Sequence, residues 1–205
     1  MIVSKKHHFV FVKTRKTAGS TLEKLVFPYL GHEDYCTGSE RDDTPAKNMD
    51  IGMNGHMKWD QIKEKYCNDV WWNGAYKFTI ERNPWDKVVS SYFWHQKIKP
   101  QEYFQMEFEQ YVLKSPLLPM DYQLYAQRGT LQVDKIYKYE EMQTMYDDLN
   151  EMFRFAITPY KIENTKLKAN IRKIQDYREL HTPKTIDFIA NKFEPVIKLM
   201  GYTYD

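Results

Sequence analysis

Charge of one sign is missing from this chain: 30 lysines and arginines stand against 28 aspartates and glutamates, for a formal net charge of +2. General nucleic-acid binders carry a strongly basic domain or face, so that class is set aside, and any anion site must come from local placement of Lys and Arg. Cysteine is scarce. Cys36 and Cys67 have no CxxC spacing, which excludes a disulfide framework and a zinc site and leaves two free thiols in a reducing compartment. Long apolar runs are absent as well. The opening MIVSKKHHFVFV is too short in apolar residues for a signal peptide, and no segment approaches membrane-spanning length. The expectation is a soluble, cytoplasmic protein without a membrane anchor. Repeats and low-complexity tracts are also lacking. What is present is an ordinary globular balance over 205 residues, 42% hydrophobic and 28% charged, which suits one domain spanning 1–205.

Hydrophobic patterning predicts an α/β fold with a largely parallel central sheet flanked by helices. His8 to Val12 is a nearly continuous apolar run, typical of a strand buried on both faces. Ser20 to Leu30 reads as a helix, with Leu22, Leu25, Val26 and Tyr29 at helical spacing. Residues 38–55 are polar and read as a long loop, followed by a short helix from Trp59 to Tyr66. A second strand, Tyr76 to Glu81, precedes a helix whose first turn carries Pro84. Further helices are expected at Gln101–Leu113, Tyr122–Arg128, Glu140–Phe153 and Pro183–Met200, with a strand at Lys135–Tyr139.

The segment joining the first strand and helix, FVFVKTRKTAGST, combines lysine charge, hydroxyls and a small Ala-Gly pair. A loop entering a helix N-terminus favours an anion, because backbone N–H groups and the helix dipole converge there. It is not the nucleotide-triphosphate loop G-x-x-x-x-G-K-[ST]. Lys16 precedes Gly19, and no glycine stands at the start of the loop. An aspartate for magnesium at the end of a later strand is equally hard to find, and no metal is expected.

Read together, FVFVKTRKTAGST and YKFTIERNPWDKVVSSYFW resemble the paired motifs of sulfotransferases that use 3′-phosphoadenosine 5′-phosphosulfate (PAPS). The resemblance is nearest to the group holding carbohydrate sulfotransferases and small bacterial members, which have a fold like that of P-loop nucleotidases. It implies that Lys16, Thr17, Ala18, Gly19, Ser20 and Thr21 hold the 5′-phosphosulfate, and that Arg82 and Ser90 hold the 3′-phosphate, with Pro84, Trp85, Lys87 and Tyr92 completing the second motif. The chain departs from the pattern at Arg15, where proline is common, and at Lys87, where arginine is frequent. Weaker similarity through GHMKWDQI, VDKIYKYEEM and FEPVIKLMGYTYD extends the resemblance over most of the chain. An isolated arginine such as Arg82 would more often make a surface ion pair; its motif context points to a phosphate dianion.

The implied activity is transfer of a sulfuryl group to an acceptor hydroxyl on a carbohydrate or another small molecule. Lys16 would neutralise charge on the leaving group. His56, in NGHMKW, has two readings: the base that takes the acceptor proton, or a capping or buried structural histidine. The basic run from Lys161 to Arg178 reads as a solvated helix face or as a guide for an acidic acceptor. Trp59, Trp71, Trp72, Trp85 and Trp94 are candidates for an acceptor groove, the last two being better explained as packing. Two other functions compete: a nucleotide kinase or ATPase, and a non-catalytic module that binds nucleotide or polyanion. The sequence names neither the acceptor nor the oligomeric state.

Overall fold

The computed structural model describes residues 1–40, 43–49, 54–165, 171–172 and 174–205. In chain order its elements are β1 (Ile2–Ser4), β2 (Phe9–Val12), α1 (Gly19–Val26), β3 (Tyr35–Cys36), α2 (Trp59–Tyr66), α3 (Asp69–Gly74), β4 (Tyr76–Glu81), α4 (Pro84–Ile98), α5 (Pro100–Tyr103), α6 (Phe108–Lys114) and α7 (Tyr122–Tyr125). They continue with β5 (Ala126–Gln127), β6 (Thr130–Leu131), β7 (Lys135–Lys138), α8 (Met142–Phe153), α9 (Pro159–Thr165), α10 (Pro183–Lys192) and α11 (Glu194–Met200). The class is α/β, as the patterning predicts. The chain divides into two compact units, residues 1–81 with 123–167, and residues 82–122 with 168–205.

The first unit is built on a five-stranded sheet in the order β3-β1-β2-β4-β7. Its three strands β2, β4 and β7 are parallel, with Phe9 opposite Tyr76 and Phe78 opposite Lys135. These strands alternate with helices, and right-handed crossovers need that spacing. Two short antiparallel strands, β1 and β3, extend the other edge. The sequence reading did not identify them, because two or three residues carry too little periodicity to register. Beyond β3, bridges Cys36–Lys47 and Ser39–Thr44 pair part of the region read as a loop, whose residues 41–42 and 50–53 lie outside those described. Phe9, Phe11, Phe78 and Ile80 from the sheet pack with Leu22, Leu25 and Val26 of α1 and with Met145 and Leu149 of α8. Each such side chain contributes roughly 1.5–3 kcal/mol by leaving water. That packing fixes α1 against the sheet.

The second unit is helical. Asn83 caps α4, its side-chain oxygen accepting from Trp85 N at 3.1 Å, and Pro84 occupies the first turn, where no amide is needed. Trp85, Val88, Val89, Tyr92 and Phe93 then face Tyr111 and Val112 of α6, Ile189 of α10 and Val196 of α11. Two expected helices are split. Gln101–Leu113 breaks between α5 and α6, and Pro183–Met200 breaks at Phe193, two residues before Pro195, which has no amide to continue the helix. The expected helix Tyr122–Arg128 stops at Tyr125, and the chain turns through Arg128 and Gly129, both at positive φ, into the β5–β6 hairpin.

Lys87 lies 1% exposed on α4 and pairs with the fully buried Asp121 at 3.0 Å. Truncating one member leaves the other charge in a dry core, a loss of about 3–5 kcal/mol. Lys87→Met is therefore expected to lower the unfolding free energy by that amount, seen in chemical denaturation as a lower urea midpoint at unchanged slope.

His181 offers a second test of this unit. Burial pushes its pKa down to about 4, while the Trp85 carbonyl beside Nε2 and the more distant Asp86 raise it only in part. The unfolded chain takes up that proton near pH 6.5 and the folded chain only near 4. Stability is therefore complete above pH 6.5 and falls as pH drops from 6.5 towards 4. His181→Gln is expected to flatten that part of the melting-temperature profile.

Candidate functional site

The loop from Lys13 to Ala18 leaves the end of β2 and enters α1. Lys16 and Ala18 both adopt left-handed backbone conformations, φ +63° and +60°. For residues with a Cβ each costs roughly 1–2 kcal/mol, so the surroundings must hold them. Buried threonines do so: the hydroxyls of Thr14 and Thr17 lie 2.9 Å apart, and Thr17 Oγ1 donates to the Thr14 carbonyl at 3.2 Å. Thr14 Oγ1 also donates to the Ile80 carbonyl of β4, and Thr79 Oγ1 donates to the Val12 carbonyl at 2.7 Å. Alternation of left-handed residues turns successive amides towards one side, the arrangement of an anion-binding nest. It delivers them to the N-terminus of α1, where Ala18 provides no side-chain cap. Geometry and dipole there favour the same sign of ligand.

Under the loop lies a charge network that the sequence reading assigned no role. Lys13 is only 6% exposed, and its Nζ reaches Glu23 Oε2 at 2.7 Å. Its aliphatic stem crosses Gly19: a Cβ there would stand 2.8 Å from Lys13 Cγ and 3.1 Å from Cε. The glycine is thus required by close approach, not by its φ. Glu23, 0% exposed, also accepts from the Met1 ammonium and, at 2.7 Å, from the Thr37 hydroxyl. Burial raises the carboxyl pKa, but the ammonium and Lys13 outweigh it and hold the group down at about 2.

His56 belongs to the same unit. Its ring Nδ1 lies 3.0 Å from the Lys13 carbonyl, and its amide donates to Asn54 Oδ1 at 3.0 Å. A carbonyl oxygen only accepts, so Nδ1 of the neutral ring carries the hydrogen and Nε2 is the basic nitrogen. Gly55 beside it packs against Thr37, where a Cβ would stand 2.9 Å from Oγ1. The loop's backbone and His56 are therefore joined through one residue, Lys13.

In the second unit Arg82, at the start of the RNPWDKVVSSY motif, is buried and paired with Asp86, Nε at 2.7 Å and Nη2 at 2.6 Å from Oδ2. Arg172 holds the other oxygen of the same carboxylate and donates to the Gln175 carbonyl at 2.8 Å. Arg172 is thus no solvated member of the basic run, while Arg178 pairs with Asp176 at 2.8 Å in the open. Lys166, Lys168 and Lys173 of that run lie outside the described residues. Ser90 is half-buried on α4. Trp85 is buried and donates to the Ile186 carbonyl at 3.2 Å, as packing requires, and in the first unit Trp72 is buried and Trp71 lies under Lys5 Nζ at 3.9 Å.

Among the described residues no group of His, Cys, Asp and Glu is suited to hold a metal, and no helix is long and apolar enough to cross a membrane. Comparison with known proteins adds a family: the sulfotransferase family profile matches residues 1–197. No curated protein matches the sequence. Among solved structures, the crystal structure of mouse sulfotransferase SULT7A1 complexed with PAP superposes with a TM-score of 0.52 at 11% identity, covering 98% of this chain and 87% of that one. At that identity the likeness is one of fold.

Two outcomes follow from the packing under the loop. Gly19→Ala forces the pinned Lys13 stem aside, and a loss of about 1–3 kcal/mol is expected in urea unfolding. Glu23 titrates near 4.5 when unfolded and about 2 when folded, so its stabilisation is complete above pH 4.5 and disappears as pH falls to 2. Glu23→Gln should remove that part of the acid-unfolding slope.

Proposed function

We propose, for a chain that belongs to the sulfotransferase family, that it transfers a sulfuryl group from PAPS to a hydroxyl of a carbohydrate acceptor, without a metal. The observation that carries this reading is the loop itself, with Lys16 and Ala18 held left-handed above the N-terminus of α1. That cradle fits the phosphosulfate end of the donor. Lys16, the amides of Thr17 to Thr21 and the hydroxyls of Ser20 and Thr21 would hold it. When bound, the donor supplies an activated sulfuryl group. Lys16 places a positive charge where the leaving oxygen gains negative charge, and His56 takes the acceptor proton on Nε2 while the Lys13 carbonyl fixes its tautomer.

Arg82 and Ser90 are proposed to bind the 3′-phosphate, a role supported by their place in the second motif. Asp86 accepts from Nε and Nη2 and orients the guanidinium fork. Lys87 is given no ligand role, because its charge is spent on Asp121. The family match over residues 1–197 supports reading the chain as one sulfotransferase domain. Resemblance to carbohydrate sulfotransferases supports the acceptor class. Two cysteines, neither in a disulfide, agree with a reducing, cytoplasmic setting.

The first test is the melting temperature with 3′-phosphoadenosine 5′-phosphate (PAP), beside ATP with magnesium. A ligand at 100 times its dissociation constant adds about 2.7 kcal/mol to the folded state. PAP alone is expected to raise the melting temperature, and Arg82→Ala to abolish the rise. A rise with magnesium-ATP and none with PAP would sink the reading in favour of a kinase. His56→Ala is expected to keep the PAP response and lose about 100-fold or more in kcat; a PAP response with no turnover of any acceptor by the unaltered protein would favour a binding module.

A further inference from the structure

We infer that Glu23 is a positioning residue for His56, tying the proposed base to the helix that follows the anion loop. The inference rests on the reading of His56 as base. The two carboxylate oxygens of Glu23 serve different partners. Oε2 holds Lys13 Nζ at 2.7 Å, and Oε1 holds the Thr37 hydroxyl at 2.7 Å. Those two partners are the residues that seat the Gly55–His56 segment. Lys13 accepts from the His56 ring through its carbonyl at 3.0 Å, and Thr37 Oγ1 forms the surface on which Gly55 rests, with the Lys13 stem beside it.

The segment is held from both ends of one carboxylate. Gly55 has no side chain because a Cβ would come within 2.9 Å of Thr37 Oγ1; Lys13 Cδ lies at ordinary contact distance, 3.6 Å. Gly19 has none because the same lysine stem passes over it. Two glycines on segments far apart in sequence therefore make room for one lysine and one threonine, and both of these end on Glu23. Glu23 itself lies on α1, fully buried, with the Met1 ammonium as a third donor. A movement of α1 or of the loop must move Lys13, and with it the carbonyl that sets the His56 tautomer. A carboxylate with one methylene fewer would not reach both partners, and an amide would present a donor to one of them.

The test uses Glu23→Gln and Thr37→Val, with Thr37→Ser as the conservative variant that keeps the hydroxyl. Nitrogen-15 spectra of the imidazole rings, taken on the protein without ligand, report the His56 tautomer. Kinetics report kcat and its pH profile, and titration with PAP reports whether the loop still binds. Expected are the Nδ1–H tautomer in the unaltered protein, a mixture of tautomers in Glu23→Gln and Thr37→Val, and, in Thr37→Val, which keeps the Lys13–Glu23 pair under the loop, a fall in kcat approaching 100-fold with PAP affinity little changed. Thr37→Ser restores both tautomer and rate. Should Glu23→Gln fail to fold, Thr37→Val, which leaves both charges in place, decides alone. An unchanged tautomer and unchanged kcat in a variant whose melting temperature has dropped would overturn the inference, since Glu23 would then serve stability only. Loss of PAP binding by the unaltered protein would instead sink the donor reading, and the tautomer spectra would still decide whether Glu23 positions His56.

Discussion

A single buried carboxylate holds the first unit's loop in shape. Taking Glu23 out of water carries a penalty of several kcal/mol, and only dense pairing offsets it. Here the Met1 ammonium, Lys13 and Thr37 all converge on it. Because Lys13 is also the first residue after β2, the pairing sets where the loop begins. Because Glu23 lies on α1, it sets where the loop ends. Between these fixed points the chain tolerates left-handed Lys16 and Ala18, a strain that a loosely held loop would release.

The threonines do the equivalent work for neutral groups. Thr14, Thr17 and Thr79 are buried, and each hydroxyl meets a backbone carbonyl or another hydroxyl. Through Ile80 and Val12 these bonds tie the ends of β2 and β4, so the loop rests on the sheet rather than on its own turns. The second unit uses a different economy of charge. Its buried pair, Lys87 with Asp121, lies in an aromatic core, while Arg82, Asp86 and Arg172 form a second charge cluster.

The parallel strands and the long helix α4 were legible because each carries a strong local signal: an apolar run, or a proline at a first helical turn. The loop between β2 and α1 was legible as a strand-to-helix connection for the same reason, from residue type and order. Lys13 and Glu23 were not. A lysine at a strand end and a glutamate on a helix look like solvated charges, and nothing local says that one will be drawn across a glycine to meet the other. Lys87 was no more legible, since its place in the second motif says nothing of its burial against Asp121. The helix breaks at Phe193 and after Tyr125 were missed because apolar spacing continued through them.

By itself, the sequence determined the α/β class, the order of the main strands and helices, and the two motifs that point to a sulfate donor. Those properties depend on contacts between near neighbours, which spacing records. Only the tertiary structure decided which charges are buried, which hydroxyls hold the loop, and that His56 presents Nε2 as its basic nitrogen. These depend on groups brought together from distant parts of the chain, where desolvation makes a pairing that is weak in water decisive.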